Sequence, residues 1–305
     1  MNEKHIRRSL LFVPGSSEKM LAKAEHVQSD SVIIDLEDAV SIDEKAVARE
    51  YAAKYVHAIR TAGKEAIVRI NDMSSPYCFD DLNTVAKEAP DAIVIPKADE
   101  RSLITADMYL DSAEKKHGFE SGSIKLIPLI ETAYGITHAL SILSCSKRIN
   151  GVILGMEDLS KDLGIVRTKY GTEARFARDT LVCCAKTCDI DVIDTPYTDI
   201  HDLDGLKYDA TEARKIGFTG KTCIHPKHAE VINVAFSPTQ DEIDAAKRLL
   251  AAFKKSLAAG KGACMIDGKM VDKPVAERAE TLLKKAELAE RAIRQMACGN
   301  DAEIS

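Results

Sequence analysis

The chain has no apolar stretch long enough to cross a bilayer, no CxxC spacing among its 8 cysteines, and no excess of basic charge. A membrane helix needs about 20 consecutive apolar residues, so a spanning segment is excluded. The opening MNEKHIRRSLLFVPG carries an apolar run too short for an export signal, cut off by Pro14-Gly15. Together with unpaired cysteine spacing in 305 residues, this points to reduced thiols and a cytoplasmic location. Cys184 and Cys188 fall four apart on an expected helix, yet two thiols without further ligands read as small buried hydrophobes. A formal net charge of -6 argues against a nucleic-acid surface, which needs a dominant Lys/Arg field. Anionic small molecules held by local basic groups stay open, and no segment is of low complexity.

What the chain does have is a repeat. The short apolar runs SLLFVPG, SVIIDLED, AIVRIND, AIVIPKAD, LIPLIET, GVILGMED, DVIDTP and TCIHP recur along it, separated by polar or Ala-rich helical stretches. A spacing of about 30 residues per strand and helix is that of a closed (β/α)₈ TIM barrel, in which each buried parallel strand needs a covering helix. Residues 1–236 are expected to form the barrel. Residues 237–305 are expected to form a C-terminal helical extension that packs on a neighbouring subunit. Within it, Thr239 and Glu242 make a capping box, Ile243, Leu249, Leu250, Phe253 and Leu257 fall on one helix face, and Gly260 ends that helix. GACMIDGKMVDKP then suggests a hairpin, followed by a last helix from Pro274 to about Met296.

Barrel enzymes react at the C-terminal ends of their strands, and here those ends carry Asp35, Glu37, Asp38, Arg69, Asn71, Lys97, Glu131, Glu157, Asp158, Asp194 and His225. Glu131 and Asp158 end strands five and six and point into one mouth from adjacent strands. One hard divalent ion is in reach of both, and Mg²⁺ suits a pair of carboxylates better than Zn²⁺, whose His or Cys ligands are scarce there. Capping a helix or pairing with lysine is an equal alternative for such carboxylates. Arg69 must find an anion, and a salt bridge to Glu37 or Asp38 is compatible with a substrate role. Lys97, among carboxylates, is read as electrostatic or structural, because a protonated amine is no Schiff-base nucleophile. His225 is either an acid–base group or a hydrogen-bonded loop histidine. Asp272, before Lys273-Pro274, reads as an N-cap. Ser16-Ser17-Glu18-Lys19 opens a helix whose free N–H groups, with Lys19 and Lys23 close by, suit an anionic cofactor tail; an ordinary capped loop is the plainer reading.

RSLLFVPG, DLEDAV, VRIND, IPKAD, IETAYGI, GMEDLSKDLG, GFTGKTCIHP and MVDKP, in this order, resemble the citrate lyase β-subunit-like branch of the HpcH/HpaI aldolase superfamily, which also holds the malyl-CoA and citramalyl-CoA lyases. The resemblance runs from about Arg7 to Pro274. It implies that Glu131 and Asp158 bind magnesium (Mg²⁺), that Arg69 and Glu131 meet the substrate, and that Glu37 and Asp38 complete the catalytic group from behind. It further implies that Phe12 and Lys23 line a coenzyme A site and that Asp272 reaches a neighbouring subunit's pocket as proton donor or base. Ser17 stands where some CoA lyases carry an arginine, which bears on how firmly a CoA phosphate is held.

The activity implied is Mg²⁺-dependent cleavage of a malyl-, citramalyl- or citryl-CoA type thioester into acetyl-CoA and an α-keto acid, by a homotrimer or larger homo-oligomer. A citrate lyase β subunit, working with α and acyl-carrier subunits, is the alternative, and TCIHP tilts toward the stand-alone enzymes. A catalytically silent CoA-binding subunit and an aldolase acting on free keto acids are the remaining readings.

Overall fold

The computed structural model describes residues 5–266 and 268–301, with side chains through residue 294. Asp267 of the expected turn and the Cys298 side chain lie outside what is described. Eight parallel strands close into a barrel in sequence order: β1 Ser9–Pro14, β2 Ser31–Asp35, β3 Glu65–Arg69, β4 Ala92–Ile95, β5 Lys125–Ile130, β6 Gly151–Leu154, β7 Asp191–Asp194 and β8 Gly220–Cys223. Each of the expected apolar runs supplies one. Pairing of β1 with β8 (Leu10 opposite Thr222) closes the ring.

Helices return the chain between strands: α1 Glu18–Ala24, α2 Lys45–Thr61, α3 Cys78–Val85, α4 Glu100–His117, α5 Ala133–Thr137, α6 Ala139–Ser144, α7 Met156–Leu163, α8 Arg175–Thr187, α9 Leu203–Ile216 and α10 Pro226–Phe236. None among the described residues is long and apolar enough to cross a membrane.

Strand side chains alternate between two cores, as the period of two requires. Leu10, Ile33, Ile67, Val94, Ile127, Leu129, Ile153 and Ile193 fill the barrel interior. Their neighbours Leu11, Val32, Ile34, Val68, Ile93, Val152 and Val192 pack outward against the helices. Strands buried on both faces explain why the sequence reads as continuous β-branched runs rather than as alternating ones. Arg7 fills the N-terminal end of the ring, bonding Glu65 (Nη2–Oε1 2.6 Å) and the carbonyl of Asn150 at 3.0 Å.

The chain divides into two compact units, one running to Phe236 and the second beginning at Ser237. In the second, α11 (Gln240–Ala258) carries the Thr239/Glu242 capping box, β9 (Cys264–Ile266) and β10 (Lys269–Val271) pair antiparallel, and α12 runs Lys273–Asp301. Its small core is Phe253, Val271 and Ala276, joined by Leu249, Leu250 and Val275. Leu257, expected on the apolar face, is exposed instead, because Ser256 takes the inner position and donates to the carbonyl of Ala263 at 2.9 Å.

Candidate functional site

Continuing the inward alternation to the C-terminal ends of six strands, or one residue beyond, gives the site. Leu10 leads to Phe12, Ile33 to Asp35, Ile67 to Arg69, Leu129 to Glu131, Ile153 to Gly155 and Ile193 to Thr195. All of these second residues line one cavity of about 480 Å³, together with Asp38, Glu157, Asp158, Thr222 and Ile224. One mouth therefore collects Phe12, Asp35, Asp38, Arg69, Glu131, Glu157 and Asp158 from the expected residues.

Arg69 is the fixed point of this mouth. Its guanidinium grips Asp35 with Nε–Oδ1 and Nη2–Oδ2 both 2.7 Å, and Nη1 lies 3.1 Å from Glu37 and 3.9 Å from Asp38. Glu37 and Asp38 were the expected partners; the principal one is Asp35, which the inward alternation places beside Arg69 across the β2–β3 register. The Phe12 ring lies 5.0 Å from the guanidinium carbon, a cation–π contact that supports the same group from its flat face. Burial would weaken the charge of Arg69, but the hydrogen bond and charge of Asp35, with those of Glu37 and Asp38, raise its pKa above the ordinary arginine value. Arg69 is thus a permanent, oriented cation at the cavity wall.

Glu37 accepts from Lys97 Nζ at Oε1 (3.0 Å), while its buried Oε2, though close to Arg69, receives no hydrogen bond. Burial, then the charge of Asp38, raises its pKa, and Arg69 and Lys97 oppose that rise. Lys45, which the sequence reading did not single out, donates from Nζ to the carbonyls of Leu36 (2.7 Å) and Glu37 (2.6 Å) and so pins the DLED turn. A lysine at the first position of α2 is the available signal.

Glu131 follows β5 and accepts from the backbone N–H of Lys97 at 2.8 Å. Burial pushes its pKa up to about 8, and the charges of Glu37 and Asp158 add to the rise. A Cβ on Gly155 would stand 2.6 Å from Glu131 Oε2, so the bare backbone of Gly155 makes the recess in which this carboxylate lies. Asp158 does not end a strand as expected: it stands in the first turn of α7, where the N–H ends of the helix favour an anion.

A buried carboxylate lifted this far, with another carboxylate near enough to raise it, is an arrangement that a cation would relieve. Among the described residues no cluster of three or more His, Cys, Asp or Glu has metal-holding geometry. An all-oxygen pair fits Mg²⁺, which takes one or two protein carboxylates and keeps waters.

Other strand-end residues are occupied elsewhere. Asn71 donates its backbone N–H and its side-chain amide to Asp81 Oδ2, and His225 Nδ1 accepts from Lys227 N at 3.3 Å, whereas Glu157, in the first turn of α7 rather than at a strand end, pairs with Arg167 while lining the cavity. Asp194 faces outward, between Arg178 (2.8 Å) and Lys221 (2.7 Å). Lys23 is exposed on α1, outside the cavity wall, and Ser17 makes no capping hydrogen bond there. Asp272, in the second unit, caps α12 through Val275 N at 3.2 Å. The seven described cysteines are all free.

An eight-stranded barrel with paired carboxylates and an anchored arginine at its C-terminal mouth has the layout of a barrel enzyme. Residues 8–226 match the HpcH/HpaI aldolase/citrate lyase family, and the chain belongs to it as an enzyme of the lyase class. It is 35% identical to the citrate lyase subunit beta of Haemophilus influenzae over 92% of this chain and 97% of that one. It is 33% identical to a (3S)-malyl-CoA thioesterase of Cereibacter sphaeroides over 94% of this chain and 96% of that one. Among solved structures, the CitE protein of Mycobacterium tuberculosis, in complex with magnesium, acetoacetate and coenzyme A, superposes with a TM-score of 0.77. That likeness has 30% identity and covers 92% of this chain and 98% of the other.

Proposed function

We propose that the chain is a Mg²⁺-dependent carbon–carbon lyase that cleaves a β-hydroxyacyl-CoA thioester into acetyl-CoA and an α-keto acid. The observation that carries this is the convergence of Glu131, Asp158 and the anchored Arg69 on one cavity. Magnesium, held by Glu131 and Asp158, would supply Lewis-acid polarisation of the substrate's hydroxyl and carboxylate oxygens. As the carbon–carbon bond breaks, negative charge gathers on the thioester oxygen of the departing enolate, and Arg69 meets it. Its fork onto Asp35, with Glu37 and Asp38 behind, keeps it oriented before the charge develops. The hydroxyl must lose its proton as the keto acid's C=O forms and the enolate carbon must gain one; Asp272 of a neighbouring subunit would take the first as base and deliver it to carbon as acid, in a homotrimer or larger assembly. Phe12 and Lys23 line the path of the coenzyme A arm. The enzyme works in the cytoplasm, in keeping with its free described cysteines.

Incubation with Mg²⁺ and malyl-, citramalyl- and citryl-CoA, read by mass spectrometry, tests the reading. Acetyl-CoA and an α-keto acid are expected, lost with chelator and reduced by orders of magnitude in Arg69→Ala. Free CoA with an intact hydroxy acid would instead indicate thioester hydrolysis, cleavage of free keto acids an aldolase, and no product from any thioester a silent binding subunit.

A second reading, the β subunit of a citrate lyase acting on a carrier-protein thioester, is favoured by the near-complete coverage of the Haemophilus influenzae protein. Stable co-purification with α and acyl-carrier subunits distinguishes it.

A further inference from the structure

Three acidic side chains meet around a single lysine. The backbone N–H of Lys97 holds Glu131 Oε1 at 2.8 Å, while its ammonium lies 3.0 Å from Glu37 Oε1 and 3.7 Å from Asp158 Oδ2. Lys97 adopts a left-handed backbone with φ 45°, uncommon for a residue with a side chain and a form of strain that persists where surrounding contacts impose it. The same residue thus touches both carboxylates assigned to the metal, one through its main chain and one through its charge.

We propose that Lys97 is a positioning residue for the divalent ion: its ammonium braces Glu37 and Asp158 in the metal-free protein and gives Asp158 up when the ion arrives. This rests on the reading that Glu131 and Asp158 hold Mg²⁺. A doubly charged ion at Asp158 repels an ammonium at 3.7 Å from the same carboxylate, so the two compete. Withdrawal leaves no buried charge alone, because Glu37 Oε1 still accepts from Lys97 and the side chain is 39% exposed to water. The contact to Glu131 is made by main chain and is untouched by that movement. Lys97 therefore lowers the affinity of the site for its ion without disturbing the ligand it shapes.

The test is Mn²⁺ uptake by the full chain, followed by electron paramagnetic resonance, in wild type and in Lys97→Met, which keeps the stem and the N–H. Removing the competing charge is expected to tighten binding about tenfold, whereas Lys97→Arg, which keeps it, stays within about threefold of wild type. Equal or weaker binding in Lys97→Met overturns the inference alone. No uptake by wild type or either variant overturns the magnesium reading as well. If Lys97→Met does not fold, crystal structures of wild type with and without Mg²⁺ decide: Nζ is expected to move beyond about 4 Å from Asp158 with the ion bound, and an unchanged contact refutes the role.

Discussion

Arg69 and Asp35 stand opposite each other across β2 and β3 and share two parallel hydrogen bonds of 2.7 Å. The carboxylate is itself fixed, since Oδ1 accepts from Glu37 N at 2.9 Å and Oδ2 from Ala39 N at 3.2 Å. A planar guanidinium held by a bidentate partner has one orientation, which a single ion-pair contact would not impose.

Asp35→Asn keeps the shape of that partner but removes its charge and one acceptor. Because a misplacement of about 1 Å costs roughly 100-fold in rate, kcat is expected to fall about that far while KM and Mn²⁺ affinity change by a few-fold at most. Steady-state kinetics with the cleaved thioester give the answer; kcat within twofold of wild type would mean that Arg69 is oriented by something else.

Gly155→Ala places a methyl group 2.6 Å from Glu131 Oε2, closer than a carbon can come. The carboxylate must swing out of its recess, so Mn²⁺ binding is expected to weaken at least about tenfold at a cost to stability of about 1–3 kcal/mol. Unchanged affinity, measured by calorimetry, would remove Glu131 from the metal's ligands.

The barrel was legible in the sequence because eight strands buried on both faces leave eight apolar runs, and their polar ends mark the mouth. Glu131 and Arg69 were legible for the same reason: each interrupts or ends such a run. Which of the carboxylates in DLED serves Arg69 was not, because only the register of β2 against β3 tells inward from outward positions. Asp194 ends its run but does not join the mouth for the same reason, since DVIDTP places it on the outward face where Lys221 and Arg178 claim it. Residue type marks Lys97 as an electrostatic or structural lysine, and its left-handed backbone, which aims one residue at three carboxylates, leaves no trace there.

If Asp272 delivers its proton across subunits, two inactive variants complement each other. Asp272→Asn alone is expected to lower turnover about 10²–10⁴-fold with Mn²⁺ affinity kept. Mixed assemblies of Asp272→Asn and Arg69→Ala, formed by co-refolding, should then recover measurable activity, because some mouths combine an intact Arg69 with an intact Asp272. Mixtures as inactive as their parents would place Asp272 outside the reaction or within its own subunit's site.

Lys64 gives the fold a measurable alkaline signature. Its ammonium donates to the buried carbonyls of Val27 and Ser29, and burial pulls its pKa from 10.5 to about 8, with Asp30 opposing. Below the native value both states hold the proton and the folded protein carries the cost of the buried charge. Between the two values the unfolded chain binds more protons, so stability rises with pH across that window. Urea unfolding near pH 7.5 and pH 10 should show wild type gaining on the order of 2 kcal/mol relative to Lys64→Met. A constant difference would mean that Lys64 is better solvated than its position implies.

Lys221 separates stability from chemistry. It is fully buried, with Nζ 2.7 Å from Asp194 and 2.5 Å from Asp209, and Arg178 reaches the same two carboxylates at 2.8 and 3.0 Å. The group is balanced, so Lys221→Met leaves one buried carboxylate without a counter-charge and is expected to cost about 3–5 kcal/mol in urea unfolding. Adding Asp209→Asn restores the balance and should recover part of that loss, which a simple packing defect would not do. Because Lys221 lies on the outward face of β8 and Asp209 on α9, which covers the barrel there, kcat per folded molecule is expected to stay within about twofold of wild type in both variants. A large fall in kcat would mean that the network reaches the mouth through Thr195 and Thr222, the inward neighbours of Asp194 and Lys221 that line the cavity.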